Sequence, residues 1–412
     1  MQIDETAKIN FEHAVKILGL NEEEIKKGLE LHKELFICDS FGFLPNVRSD
    51  EFCREMVKKI KSCVDPDDII SEVEVAHMKC IVEDEYCNKT FKAAIKAGGV
   101  KCDVLTAGSE KNLEYTLERL SGYTYLFDNM KDTLLKAVSA KDLDRARSED
   151  KLAVIWSTNA APAFGGIPHG KAAHTWVERL YRFGIRVMHL TYNRRNWIGD
   201  GCLEPANAGL SLHGRDVVKQ LNELGIIIDI PHTGEKTTLE AAEFSQKPIA
   251  ATHTVCKGLY NHPRGKSDDV LKAIANTGGY VGICLIPYFL GRNATINTLL
   301  DHIEYAVELI GIDHVGIGSD ICYMEPFSSP ELDYYQLLPP HSNKNSWVRW
   351  FGAWEYSTDL PEKVVSSEGI ASLQWTNWPL FTAGLLKRGY SKEEIAKITG
   401  GNFLRVFKEV CK

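Results

Sequence analysis

The sequence predicts an α/β chain folded as a (β/α)8 TIM barrel, with an N-terminal helical extension and C-terminal helices. Short apolar or β-branched runs recur eight times, and amphipathic helical stretches separate them. No glycine-rich phosphate loop follows the first run, which disfavours an open dinucleotide-binding sheet.

Residues 1–34 are expected to form a helical extension packed on the barrel, because "NEEEIKKGLELHKEL" places opposite charges one helical turn apart. The barrel itself is expected to occupy residues 35–412. Its first strand is "LFICD" (35–39), followed by a helical insertion at 53–97 and then "VKCDVLTAG" (100–108). The third, fourth and fifth runs are "LAVIWST" (152–158), "IRVMHLTYN" (185–193) and "GIIIDIPH" (225–232). Before the fifth, "GRDVVKQLNELG" sets Val217, Val218, Leu221 and Leu224 at helical spacing and stops at Gly225.

"TLEAAEFSQ" and "DDVLKAIANTGG" behave likewise around the sixth run, "PIAATHT" (248–254). The seventh and eighth are "GYVGICLIP" (279–287) and "HVGIGSD" (314–320). A C-terminal excursion, 325–412, completes the chain. Its stretch "NKNSWVRWFGAWEYSTDLPEKVVSSEG" reads as a surface lid, and "YSKEEIAKITGGNFLRVFKEV" as a capped helix, a Gly-Gly break and a final helix.

Composition narrows the function. A net charge of −8 offers no basic excess to neutralise phosphates, so a nucleic-acid partner is not expected. The first twenty residues lack a secretory pattern and no run is long enough to span a bilayer, so the expectation is a cytoplasmic protein without a membrane partner. Eleven cysteines without a CxxC pair read as reduced thiols; Cys38, Cys102 and Cys284 fall in apolar runs as small buried hydrophobes.

In a barrel of this class the chemistry sits where strands end. Tyr192, His232, His253 and Asp320 finish the fourth, fifth, sixth and eighth runs. Two histidines closing adjacent strands suit a divalent metal, zinc above all. One alone would read more readily as a histidine bonded to a neighbouring loop; two at the same end of adjacent strands, with Asp320 ending the eighth, bring the two readings level. Arg264, in the loop leaving the sixth run, could clamp a substrate carboxylate through its planar fork. The long loop after the fourth run offers Asp200, Cys202 and Glu204 to the same rim.

These residues carry a resemblance. "GLSLHGRDVVKQLNELGIIIDIPH", "PIAATHTVCKGLYNHPRG", "IGIDHVGIGSD" and "LLKRGYSKEEIAKITGGNFLRVF" resemble the renal (membrane) dipeptidase family of metal-dependent hydrolases. The resemblance implies a barrel mouth holding two zinc ions bridged by a glutamate, the hydrolysis of dipeptides or related amides, and a homodimer. It makes His232 and His253 ligands of the second metal, Asp320 the assisting acid and Arg264 the carboxylate clamp.

The first-metal half departs from that pattern. Where the family has "DGHxD", this chain has "DSFGF", so Phe41 and Phe43 stand at ligand positions. No acidic residue lies between Asp150 and Glu178, and Thr158 takes the place of the bridging glutamate. "LTYN" replaces "LTHN", substituting Tyr192 for a substrate-contacting histidine.

The expectation is therefore a dipeptidase-like hydrolase of a small carboxylate-bearing amide or dipeptide, using one zinc ion or none. His232 and His253 hold any metal and serve catalysis with Asp320 and Tyr192; Arg264, Tyr192, Asp39 and Thr158 contact substrate. Two alternatives stand beside it: a metal-free lyase or isomerase on a small carboxylated metabolite, and a non-catalytic ligand-binding homologue.

Overall fold

Ten strands form one sheet: β1 (Cys38–Gly42), β2 (Cys102–Gly108), β3 (Leu134–Lys136), β4 (Leu152–Thr158), β5 (Ile185–His189), β6 (Ile227–Asp229), β7 (Ala250–Cys256), β8 (Gly265–Lys266), β9 (Tyr280–Ile283) and β10 (Val315–Ile317). The computed structural model describes residues 4–63, 66–109, 113–161, 171–337 and 366–411. Eight strands run parallel in the order β1-β2-β4-β5-β6-β7-β9-β10, one from each apolar run. Short β3 and β8 pair outside this path, with β4 and β7. Three residues and two residues are too few to leave a periodic signal in a sequence.

The path curls nearly shut. Between its ends, the Asp320 N–H donates to the Phe41 carbonyl at 2.8 Å and the Phe43 N–H to the Ile321 carbonyl at 3.2 Å. The result is the TIM barrel expected from the sequence.

Helices follow their local signals. Leu212–Leu224 starts at Ser211, whose side chain accepts from the Gly214 N–H, and ends at Gly225 with a positive φ of 75°. It buries Val217, Val218 and Leu221. The helices Asp50–Ser62, Pro66–Glu83 and Glu85–Gly98 occupy most of the stretch between the first two barrel strands. Near the end, Ser391 and Glu394 form a capping box, and the chain kinks at Gly400 before the helix Asn402–Val410.

The N-terminal helices Glu5–Leu18 and Glu22–Glu34 lie against the helices after the barrel. A methyl group at Gly28 would meet Ala383 Cβ at 2.3 Å, so glycine permits the close crossing onto Trp378–Lys387. Of the tryptophan-rich stretch expected to form a lid, residues 343–365 lie outside the described residues. Among the described residues no helix is long and apolar enough to cross a membrane, and every cysteine is a free thiol.

The seam between first and last strands carries a buried carboxylate. Asp39 accepts from the Ser319 N–H at 2.7 Å, the Ser319 hydroxyl at 2.5 Å and the Trp375 indole N–H at 3.3 Å. Asp103 is its register partner on β2 and is equally buried. Both carboxylates crowd the position above Gly42, where a Cβ would lie 2.6 Å from Asp39 Oδ2 and 2.8 Å from Asp103 Oδ1.

Burial raises the Asp39 carboxyl to about 7 despite the Ser319 bonds, and raises Asp103 well above its ordinary value, with the Asp39 charge adding to the effect. The folded protein therefore holds protons that the unfolded chain releases. The stabilising contribution is complete below the unfolded value of 3.8 and is lost as pH rises through about 7. Asp39→Asn cannot ionise, so its melting temperature should fall less than the wild type's between about pH 5 and about pH 8. Parallel thermal melts of the two proteins test this, and equal losses would count against it.

Candidate active site

Three imidazoles meet inside the mouth of the barrel. β5 ends on His189, while His232 follows β6 by three residues and His253 sits within β7. Their ring centres are 5.3 Å apart for His189 and His232, 5.4 Å for His189 and His253, and 5.0 Å for His232 and His253. All three are buried.

Neighbouring groups settle which nitrogens carry protons. His253 Nδ1 lies 2.9 Å from Thr252 Oγ1, whose only proton goes to Asp229 Oδ2 at 2.6 Å, so Nδ1 is the donor. His232 Nδ1 lies 2.7 Å from Asn193 Oδ1, an oxygen that also accepts from the Cys202 thiol at 3.3 Å. It too must donate. Both Nε2 atoms are then bare lone pairs, and they face each other at 3.0 Å.

Two lone pairs at that distance repel unless a cation sits between them. A proton is a poor candidate. Burial holds both imidazoles well below their ordinary pKa, and the nearby Arg264 guanidinium depresses them further. Buried Lys266, itself lowered to about 7 by burial, adds to this field. A metal ion matches the converging neutral nitrogens, so the donor set fits a divalent cation.

His189 and Asp229 were not among the site residues expected from the sequence. They are register partners on β5 and β6, which puts them side by side on the barrel's inner surface. His189 Nδ1 is 3.2 Å from the Asn159 carbonyl. Its Nε2 is 2.9 Å from Asp229 Oδ2 but out of line for a hydrogen bond, and is unsatisfied. One donor atom each from His189, Asp229 and His253 falls within 4.8 Å of the others. The available signal was their position: "RVMH" and "IIID" each finish a strand on a polar residue.

Phe41 closes the opposite side. Its ring stacks on His253 with centres 3.9 Å apart, stands 5.3 Å from His189 and meets Phe43 edge-on at 5.9 Å. Above lies an open cavity lined by Phe41, Phe43, Tyr192, His232, Arg264 and Asp320, among others. Tyr192 covers His232, with ring centres 4.2 Å apart. Asp320 is held at φ 56° at the end of the last strand, a conformation unusual for a non-glycine residue, and burial raises its carboxyl to about 6.

Not every expected residue reaches this cavity. Asp39 is turned into the seam, its oxygens bonded to Ser319 and Trp375. A register shift between Asp39 and Gly42 interrupts the strand alternation that would have aligned Asp39 with Phe41 and Phe43. Thr158 is fully buried and donates to the Ala160 carbonyl at 3.1 Å. Neither of these two lines the cavity, because local hydrogen bonds claim both side chains.

The Arg264 guanidinium is partly committed. It donates to the Pro231 carbonyl, and to the His253 carbonyl at 3.3 Å, leaving Nε buried without a partner. It thus ties down the backbone around both histidines. In the long loop, Asp200 forms a two-pronged pair with Arg195 at 2.5 and 3.1 Å, and Glu204 accepts from the Arg195 N–H at 3.0 Å. These acids brace the loop.

The sequence profile of the family described as membrane dipeptidase (peptidase family M19) matches residues 76–328 and 368–412. An uncharacterized dipeptidase of Schizosaccharomyces pombe is 30% identical over 238 residues, covering 56% of this chain and 48% of that protein. Dipeptidase tcpJ of Claviceps purpurea is 26% identical over 271 residues, covering 64% of this chain and 54% of that protein. The chain spans about half the length of these curated relatives.

Among solved structures, an amidohydrolase from Pseudomonas aeruginosa superposes with a TM-score of 0.67 at 25% identity, covering 93% of this chain and 99% of that one. The probable dipeptidase PvdM from the same organism gives 0.66 at 19% identity, covering 95% and 99%, a likeness of fold.

The apolar wall yields a prediction. Phe41→His with Phe43→Asp should not create a centre for two ions, because Thr158, which the resemblance sets at the bridging position, is no carboxylate and its hydroxyl is bonded to the Ala160 carbonyl. Metal analysis of the double variant checks this, and two tightly held ions per chain would contradict it.

Proposed function

The chain belongs to the membrane dipeptidase family, and from that premise we propose that it is a hydrolase of a small carboxylate-bearing amide or dipeptide, working with one metal ion at His232 and His253. The observation that carries this reading is the pair of bare Nε2 atoms facing each other at 3.0 Å. A bound divalent cation would supply a Lewis acid and lower the pKa of a water it holds.

The remaining work falls to side chains on the cavity wall. Asp320, with a carboxyl raised to about 6, is suited to take a proton from an attacking water and return it to the leaving amine. Tyr192, above His232, is placed to hydrogen-bond an oxygen that gains negative charge. Arg264 contributes positive potential for a substrate carboxylate, chiefly through the field of a buried guanidinium, since two of its nitrogens are engaged. Phe41 and Phe43 exclude water from the face opposite the histidines.

A metal-free lyase or a non-catalytic binder would leave the facing Nε2 atoms without a purpose. Unsatisfied buried polar atoms of that kind cost about 1 to 3 kcal/mol each.

Protein purified without chelator should contain near one metal ion per chain, and His253→Ala should abolish it. Mass spectrometry of a panel of dipeptides and acylated amino acids should show cleavage that stops on chelation. A wild type that neither contains nor takes up metal would refute the proposal. The acid limb of kcat/KM should lie at or below about 6, because burial raises Asp320 to that value and a nearby cation can only lower it. Asp320→Asn should reduce kcat by roughly a hundredfold or more, and an unchanged rate profile would remove Asp320 from the mechanism.

A further inference from the structure

We infer that His189 and Asp229 complete the donor set, so that one divalent cation is held by His189, His232, His253 and Asp229, with a fifth position left for water. This rests on the reading of the barrel mouth as a metal centre. It goes beyond that reading by assigning a third imidazole and a carboxylate to the ion.

The geometry of the rings is the first support. Three imidazoles whose nitrogens lie about 2.0 to 2.1 Å from one ion, at tetrahedral angles, have ring centres roughly 5 Å apart. The three centres here are separated by 5.0, 5.3 and 5.4 Å.

The second support is chemical. Asn159 offers His189 only a carbonyl, so Nδ1 donates to it and Nε2 is the ring nitrogen turned toward the other groups of the mouth. That nitrogen stands 2.9 Å from Asp229 Oδ2, with no hydrogen bond between them. As at His232 and His253, two atoms able to bind a metal face each other at close range. A single cation would resolve both contacts, since the donor atoms of His189, Asp229 and His253 already lie within 4.8 Å of one another.

Asp229 is rigidly presented. Its Oδ1 accepts from the Thr252 N–H at 2.9 Å and the Ile230 N–H at 3.1 Å, and its Oδ2 from the Thr252 hydroxyl at 2.6 Å. Thr252 in turn receives the His253 Nδ1 proton, so carboxylate and imidazole are oriented by one hydroxyl. Three neutral imidazoles and one carboxylate leave a divalent centre with a net charge of about +1, which favours a bound hydroxide. Phe41, stacked on His253, closes the far side.

The test uses the full chain. Metal is removed with a chelator, and zinc is titrated back against a competing chelator into the wild type, His189→Gln and Asp229→Asn. Each substitution should weaken zinc affinity by about tenfold or more and reduce the rise in melting temperature that zinc produces. The visible bands of the cobalt(II) form should change with them. Circular dichroism reports whether the variants fold.

X-ray absorption of the zinc-loaded wild type needs no substitution, and should count three imidazoles. Two imidazoles, or wild-type affinity in both folded variants, would overturn this assignment while leaving a metal on His232 and His253 intact. A wild type that binds no zinc at all would instead remove the metal reading on which the assignment rests.

Discussion

Closure of the barrel at one seam governs where every functional group stands. The Asp39 carboxylate on the first strand receives both donors of Ser319 just past the last, and the backbone bonds of Phe41 and Phe43 run to the loop that follows. Without that closure the first strand would be a free edge, and Phe41 would have no fixed relation to His253. With it, the aromatic ring is set 3.9 Å from the imidazole across the barrel's interior. Burying an ionisable group at this junction is costly, and burial accordingly pushes both the Asp39 and Asp103 carboxyls upward.

The mouth that results is lopsided. One side is aromatic: two phenylalanines meet edge-on there, with a large apolar area removed from water, about 150 to 250 Å² for each ring. The other side concentrates three imidazoles, a carboxylate, an arginine and a lysine in a region from which water is largely excluded. The low dielectric there strengthens every charge interaction, and burial favours neutral His232 and His253, the state in which an imidazole binds a metal. The apolar wall and the polar cluster therefore support each other.

Much of this was readable in one dimension. Eight apolar runs with helices between them specify a parallel barrel, because period-two burial and helical periodicity are local properties. The histidines at 232 and 253 were legible for the same reason: each falls at the end of a run, and in this architecture strand ends converge. His189 lies in the middle of the fourth run and gave no separate warning. Its importance depends on Asp229 facing it across a strand pair, and a pairing register is not written in either strand alone.

The sequence by itself determined the architecture and the family, since these depend on residue identity and order along the chain. Tertiary structure decided which polar groups are spent. Asp39 and Thr158 looked available as side chains at strand ends, but a register shift and local hydrogen bonds turn both away from the cavity. Arg264 reads as a free fork until the folded backbone places two carbonyls against it. Hydrogen-bond partners far apart in the chain set the direction of a side chain and the protonation of each ring nitrogen, and only the closed barrel brings those partners together.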